Sequence, residues 1–325
     1  MKKLIYIILI TGITHFASAQ SRLSNEAIQE LAIKEDSLKE LSLKMVFDID
    51  DATRLRSDSL FVRMLVRALR TPHSFEFAFD SLNVSKLYSP DSTFRIFTWQ
   101  ISKDAYVIMQ KGAIQMKTAD GSLKLFPLHD QSMFVKDPLL PKGNHQLWMG
   151  AIYYKIIQKE WQGKQYYTLI GFDDFALSSS KKFVEVLYFE NGEPRFGGPF
   201  FVFQNENGST RTQNRHIIEF KDEVKAFLNY DADLDLIIVD HLISETGEND
   251  KKSTFVPDGD YEAFQWKNGK WHHIDKPFNL SLGDGNAPRA KPILDDKGNV
   301  NEKILMEQSK KNEEEAKKKK KKGTP

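Results

Sequence analysis

The chain has 325 residues, of which 40% are apolar and 12% aromatic, a formal net charge of +1 and no cysteine. Such a length and apolar content suffice for a packed core, while the missing thiol excludes disulfides, thiolate metal sites, cysteine nucleophiles and a cysteine-linked lipid anchor. The charge is uneven: residues 302–322 hold nine Lys and five Glu, and setting aside that surplus of four together with Lys2 and Lys3 leaves −5 for residues 20–301, which argues against a nucleic-acid-binding body.

At the N-terminus, Lys2-Lys3, the apolar run Leu4 to Phe16 and the small triplet Ala17-Ser18-Ala19 follow the order of a secretory signal peptide. Residues 1–19 are expected to be cleaved, so that the mature chain begins at Gln20 and is exported, to the periplasm or outside the cell; an uncleaved anchor is the alternative. The apolar run is shorter than the ~20 residues that span a bilayer, and no later run is longer, so no transmembrane segment is expected after processing.

Residues 20–72 read as a helical segment. Ile28, Leu31, Leu38 and Met45 recur at helical spacing, Phe61, Met64, Leu65 and Ala68 do so again, Asp48-Ile49-Asp50-Asp51 divides the two runs and Thr71-Pro72 ends them. An amphipathic pair is predicted. Its second member carries Arg63, Arg67 and Arg70 on one side, read as a solvated face in preference to an anion-binding one.

Beyond Pro72 the period becomes two, beginning with Phe75, Phe77 and Phe79, and residues 73–282 are read as a mainly β, antiparallel, hairpin-rich body. Turn signals stand at Asp120-Gly121, Gln162-Gly163, Asn191-Gly192, Asn207-Gly208, Asp258-Gly259 and Asn268-Gly269. Two hairpins are predicted in detail: Trp148 to Lys159 with Gln165 to Phe172, and Lys182 to Glu190 with Arg195 to Phe203, the latter bulged or at an edge around Gly197-Gly198-Pro199. A sandwich, a distorted barrel and a small propeller all fit this pattern. Residues 283–325 turn to Gly, Pro, Asp, Asn and Lys and close on Lys317 to Lys322, the composition of a disordered tail that solubilises the chain or holds it to anionic surfaces.

Ser89-Pro90-Asp91 with Phe94 to Trp99, Tyr166 to Asp173, Glu185 to Phe189, Phe196-Gly197, Asp240-His241-Leu242 and Pro257-Asp258-Gly259 with Trp271 together resemble uncharacterised secreted proteins of Bacteroidota. The resemblance covers roughly residues 84–275. It implies an envelope or extracellular setting, and it brings neither an activity nor a functional residue.

Local chemistry is sparse. Asp231, Asp233 and Asp235 invite a calcium reading, but an EF-hand loop from Asp231 would need Gly and Glu where Leu236 and Leu242 stand; the row is read as a strand with one wet face, so no metal and no cofactor is expected. The eight histidines form no His-Glu-x-x-His pair, and His272 and His273, being adjacent, point apart in a strand. No Gly-x-Ser-x-Gly, Ser-x-x-Lys or phosphate-cradling glycine pattern is present. Asp173, Asp174, Glu185 or Asp240 could supply a glycosidase pair. The aromatic residues on the predicted hairpins are the one hint of a ligand, with Tyr154, Trp161, Tyr167, Trp266 and Trp271 as candidate binding rings, since one ring of each Tyr153-Tyr154 and Tyr166-Tyr167 pair faces outward. The reading is of an exported, non-enzymatic binding or envelope-associated protein, with polysaccharide, peptide or another envelope protein as partner. A hydrolase with carboxylates that meet only in space, or a structural subunit of an envelope assembly, is the alternative.

Overall fold

A computed structural model of the chain describes residues 23–278, apart from 105, 177 and 206. The expected signal peptide and the expected tail lie outside the described residues. Helix α1 (Asn25–Phe47) and helix α2 (Asp51–Leu69) form the predicted pair. Ser24 and Asp50 cap their first turns, accepting from the Ala27 and Thr53 backbone N–H groups at 3.1 and 2.8 Å; such a cap contributes about 1 kcal/mol. Leu31, Leu38 and Met45 of α1 lie seven residues apart and share a core with Phe61, Leu65 and Ala68 of α2. Ile28, expected in that buried row, is 42% exposed. Arg63, Arg67 and Arg70 lie on the exposed side.

Sixteen strands follow among the described residues. The first sheet is the meander β1 (Ser85–Tyr88), β2 (Phe94–Ser102), β3 (Ile108–Met116) and β4 (Lys124–His129). The second has β5 (Gly143–Asn144), β6 (Ile152–Trp161), β7 (Lys164–Ala176), β8 (Ser179–Glu190) and β9 (Glu193–Phe196) in the order β5-β9-β8-β7-β6. The chain then leaves for a third sheet with β10 (Phe201–Gln204) and β11 (Thr210–Gln213), returns to β8 with β12 (Arg215–Lys221), and completes the third sheet with β13 (Leu228–Asp231), β14 (Leu236–Ser244), β15 (Phe255–Lys267) and β16 (Lys270–Asp275). Every pairing is antiparallel except β10 with β16.

Strand alternation stacks these sheets. Phe97, Trp99 and Ile101 of β2 face the helices, whereas Phe94 and Ile96 face the second sheet. In β8, Phe183 and Leu187 face the first sheet, and Val184 and Val186 face the third, where they meet Phe201, Ile237, Val239, Phe264 and Trp271. The result is helix pair, sheet, sheet, sheet, with two strand layers buried on both faces. This is a mainly β, sandwich-type stack preceded by a helical pair, and the described sheets do not close into a barrel. No helix among the described residues is long and apolar enough to cross a membrane.

Three local expectations are corrected. Phe75, Phe77 and Phe79 do not form a strand: Ser74–Glu76 is a short 3-10 turn and Phe79 has φ 57°, because the segment wraps the buried Arg95, whose guanidinium donates to the Ser74 and Phe77 carbonyls. The second arm of the second hairpin ends at Phe196, where Gly197 (φ 73°) turns the backbone out of the sheet. Asp258-Gly259 is no turn; it lies inside β15, beside a register shift opposite His241.

Candidate ligand-binding groove

The sequence-level candidates scatter over the structure. Asp231 accepts from the Asp233 and Leu234 N–H groups at 2.9 and 3.0 Å, and Asp235, at φ 52°, pairs with Lys159 and takes the Tyr230 hydroxyl at 2.7 Å. The expected wet strand is therefore a β13–β14 hairpin turn held by its own carboxylates. Among the described residues no group of three or more His, Asp or Glu side chains could hold a metal ion. His241 meets Asp258 at 2.8 Å and His273 meets Glu262 at 2.7 Å.

Two of the five proposed rings are core. Trp271 is fully buried and donates its indole N–H to Thr168 at 2.8 Å; Tyr167 has a buried ring, donates its hydroxyl to Asp91 at 2.6 Å and borders a groove between the second and third sheets. The more exposed member of the Tyr166-Tyr167 pair is therefore Tyr166, half-buried against the core between the second and third sheets. Tyr154, 36% exposed, sits in a bulge of β6 and donates to the Leu228 carbonyl at 2.6 Å. Trp161, 37% exposed, lies across Gly269, where a Cβ would stand 2.5 Å from the indole. Trp266 is half-buried, 6.0 Å from the Tyr166 ring.

What the structure does bring together is a groove of about 680 Å³ at one end of the gap between the second and third sheets, a volume within the usual range of ligand sites. Its wall is a ring cluster: Tyr166 of β7, Tyr188 of β8 and Phe200, with centroids 6.2, 5.4 and 5.8 Å apart. Phe200 reaches it because Gly198 lacks a side chain; a Cβ there would stand 2.5 Å from the ring. The two glycines that take the chain from one sheet to the next thus open the gap and fold Phe200 into it. Burial raises the Tyr188 phenol above its ordinary pKa. Neither the Tyr166 nor the Tyr188 hydroxyl has a hydrogen-bond partner among the described residues. Lys142, Lys164 and Lys270 line the rim with no carboxylate partner among the described residues, and the rim's Glu190 lies 3.4 Å from Arg195.

A second cavity, about 260 Å³, lies between the segment 132–138 and the end of the second sheet. Its lining holds one carboxylate, Asp173, which accepts from Gln110 at 2.6 Å and which burial pushes up to about 6. Burial lowers the nearby Lys181 ammonium, 3.6 Å from Glu219. Asp174 is engaged by Gln100 and Ser180, Glu185 by Arg215 and Tyr153, and Asp240 by the Phe227 N–H at 2.6 Å. The four carboxylates that could have supplied a glycosidase pair do not line one cavity.

Asp173 yields a pH prediction. Its folded value, about 6, lies above the ordinary 3.8, so the native state holds the proton more tightly; that stabilisation is complete below about pH 4 and is lost as pH rises through about 6. Asp173→Asn, which keeps an acceptor for Gln110 and cannot ionise, is expected to be more stable than the parent by roughly 1 to 3 kcal/mol at pH 8 and equal to it at pH 4. Denaturant midpoints at the two pH values check this, and a variant no more stable at pH 8 contradicts it.

Compared with protein-family models, with curated proteins and with solved structures, the chain matches none of them. Functional assignment therefore rests on the geometry of the groove and of the Asp173 cavity.

Proposed function

We propose that the protein is an exported, non-enzymatic binding protein of the cell envelope that holds its ligand in the ring-walled groove between the second and third sheets. The groove supports this reading: three aromatic rings meet, two phenol hydroxyls and three ammonium groups lack partners among the described residues, and no pair of free carboxylates lines it. Rings of this kind offer apolar faces to sugar or peptide, and unpaired polar tips fix orientation. Export rests on the order of features in residues 1–19.

The test is a glycan and peptide array probed with the full chain and with Tyr188→Ala. Binding that falls about tenfold or more in the variant is the expected outcome; binding that Tyr188→Ala leaves untouched places the ligand elsewhere. One observation favours a hydrolase instead, the Asp173 carboxyl in its own cavity, which burial pushes up to about 6. Turnover of an arrayed glycan, abolished by Asp173→Asn, would establish that second reading.

A further inference from the structure

Lys142 precedes β5, Lys164 opens β7 directly after the Gln162-Gly163 turn, and Lys270 opens β16 directly after Asn268-Gly269. Three segments far apart in sequence thus bring three cations to one rim, in a body whose net charge from residue 20 to residue 301 is −5. None has a carboxylate partner among the described residues, although carboxylates engage lysines elsewhere, as at Lys44–Glu40, Lys159–Asp235 and Lys221–Glu245. The rim's one carboxylate, Glu190, lies 3.4 Å from Arg195, and an anion seated among the three lysines is attracted by all of them.

The wall beneath is built from ring faces. It lies where β7 and β8 part: Tyr166 pairs with Lys159 of β6 and Tyr188 with Arg195 of β9, while the β7–β8 ladder ends at Tyr167–Leu187. It offers apolar faces and side-chain donors, which suit a sugar ring with a C–H face and a polar edge.

We infer that the groove takes an anionic glycan, a chain of uronic or sulfated sugars whose ring faces lie on Tyr166, Tyr188 and Phe200 and whose acid groups meet Lys142, Lys164 and Lys270. This rests on the reading of the groove as the binding site. Lysine serves such a ligand as a compact point charge and does not demand the planar fork geometry of arginine.

Polygalacturonate, its fully methyl-esterified form, heparin and poly-glutamate are titrated calorimetrically into the full chain and into the triple variant Lys142→Gln, Lys164→Gln, Lys270→Gln, with Tyr188→Ala as a second variant. The lysines of residues 317–322 attract any polyanion, so the loss on altering the groove carries the result. Polygalacturonate or heparin is expected to bind, roughly ten- to a hundredfold more weakly to the triple variant and more weakly to Tyr188→Ala, with melting temperatures unchanged in the triple variant. Which of the two binds tighter separates a carboxylate from a sulfate ligand. Equal binding of the methyl-esterified polymer, still lost in Tyr188→Ala, overturns the anionic inference and leaves the groove as a glycan site. Poly-glutamate binding as tightly as the sugars, or affinity that survives both variants, overturns the inference and assigns the attraction to charge alone. No binding of any glycan, there or on the array, removes the glycan reading and the inference with it.

Discussion

Glu185→Leu is expected to cost roughly 3 to 5 kcal/mol, and to lower the melting temperature by about 10 °C in a chain of this size. Glu185 and Arg215 are both fully buried, with the guanidinium N–H groups 3.1 and 3.2 Å from one carboxylate oxygen. The other oxygen takes the Tyr153 hydroxyl at 2.5 Å, and the Tyr153 oxygen takes the Trp148 indole N–H at 2.8 Å. The remaining Arg215 nitrogen donates to the Pro138 and Pro141 carbonyls, holding residues 138–141 against the second sheet. Removing the carboxylate leaves a cation in a low-dielectric site with only carbonyls for company, which is the expensive half of a buried pair. Adding Arg215→Met removes that cation, so the double variant is expected to be more stable than the summed single effects by about 1 to 3 kcal/mol. It does not return to the parent, because residues 138–141 lose their donors. Strict additivity in thermal melts would show that the two charges do not depend on each other.

The features that were legible in the sequence are those carried by periodicity and by turn chemistry. Leu31, Leu38 and Met45 announce α1 because a seven-residue interval returns to one face. Gln162-Gly163, Asn191-Gly192 and Asn268-Gly269 announce hairpins because both residues of each pair adopt positive φ, between 50° and 78°. The same dipeptide logic failed at Asp258-Gly259, where Gly259, at φ 94°, bends a long strand without reversing it. Phe75, Phe77 and Phe79 failed for a different reason: alternation records two environments, and here the second is a cation. The groove was out of reach because its residues come from β7, β8, β16 and three connecting segments, and because burial decides which ring of a pair is available. Tyr167 and Trp271 satisfy Asp91 and Thr168 inside the stack, while Tyr188 and Phe200 carried no signal beyond the glycines beside Phe200. The sequence reads those glycines as a bulge or an edge, and the chain uses them to change sheets.

Arg95→Met should destabilise the protein by roughly 3 kcal/mol, and Arg95→Lys should not rescue it. Arg95 is fully buried on β2, with no carboxylate partner among the described residues. Its Nε donates to Gln115 at 2.8 Å, one terminal nitrogen to the Phe77 carbonyl and the Tyr88 hydroxyl at 2.5 and 2.7 Å, and the other to the Ser74 carbonyl at 2.8 Å. The rings of Phe75, Phe79, Tyr88 and Phe97 stand 4.9 to 5.5 Å from its guanidinium carbon. Burial pulls its pKa down, so removing the charge returns part of the desolvation cost. What Met cannot replace is the fork of donors, and each acceptor left dry costs about 1 to 3 kcal/mol. Lysine keeps the charge, but its single ammonium cannot span acceptors on three sides, and its more strongly hydrated head costs more to bury. The segment 74–79, which has no strand pairing of its own, hangs on these bonds. Hydrogen exchange at the Phe77 N–H, bonded to Ser74 at 3.1 Å, is therefore expected to speed up more than exchange in β2 and β3. An Arg95→Lys protein as stable as the parent, with Phe77 still protected, would mean that the rings and not the hydrogen bonds hold this corner of the fold.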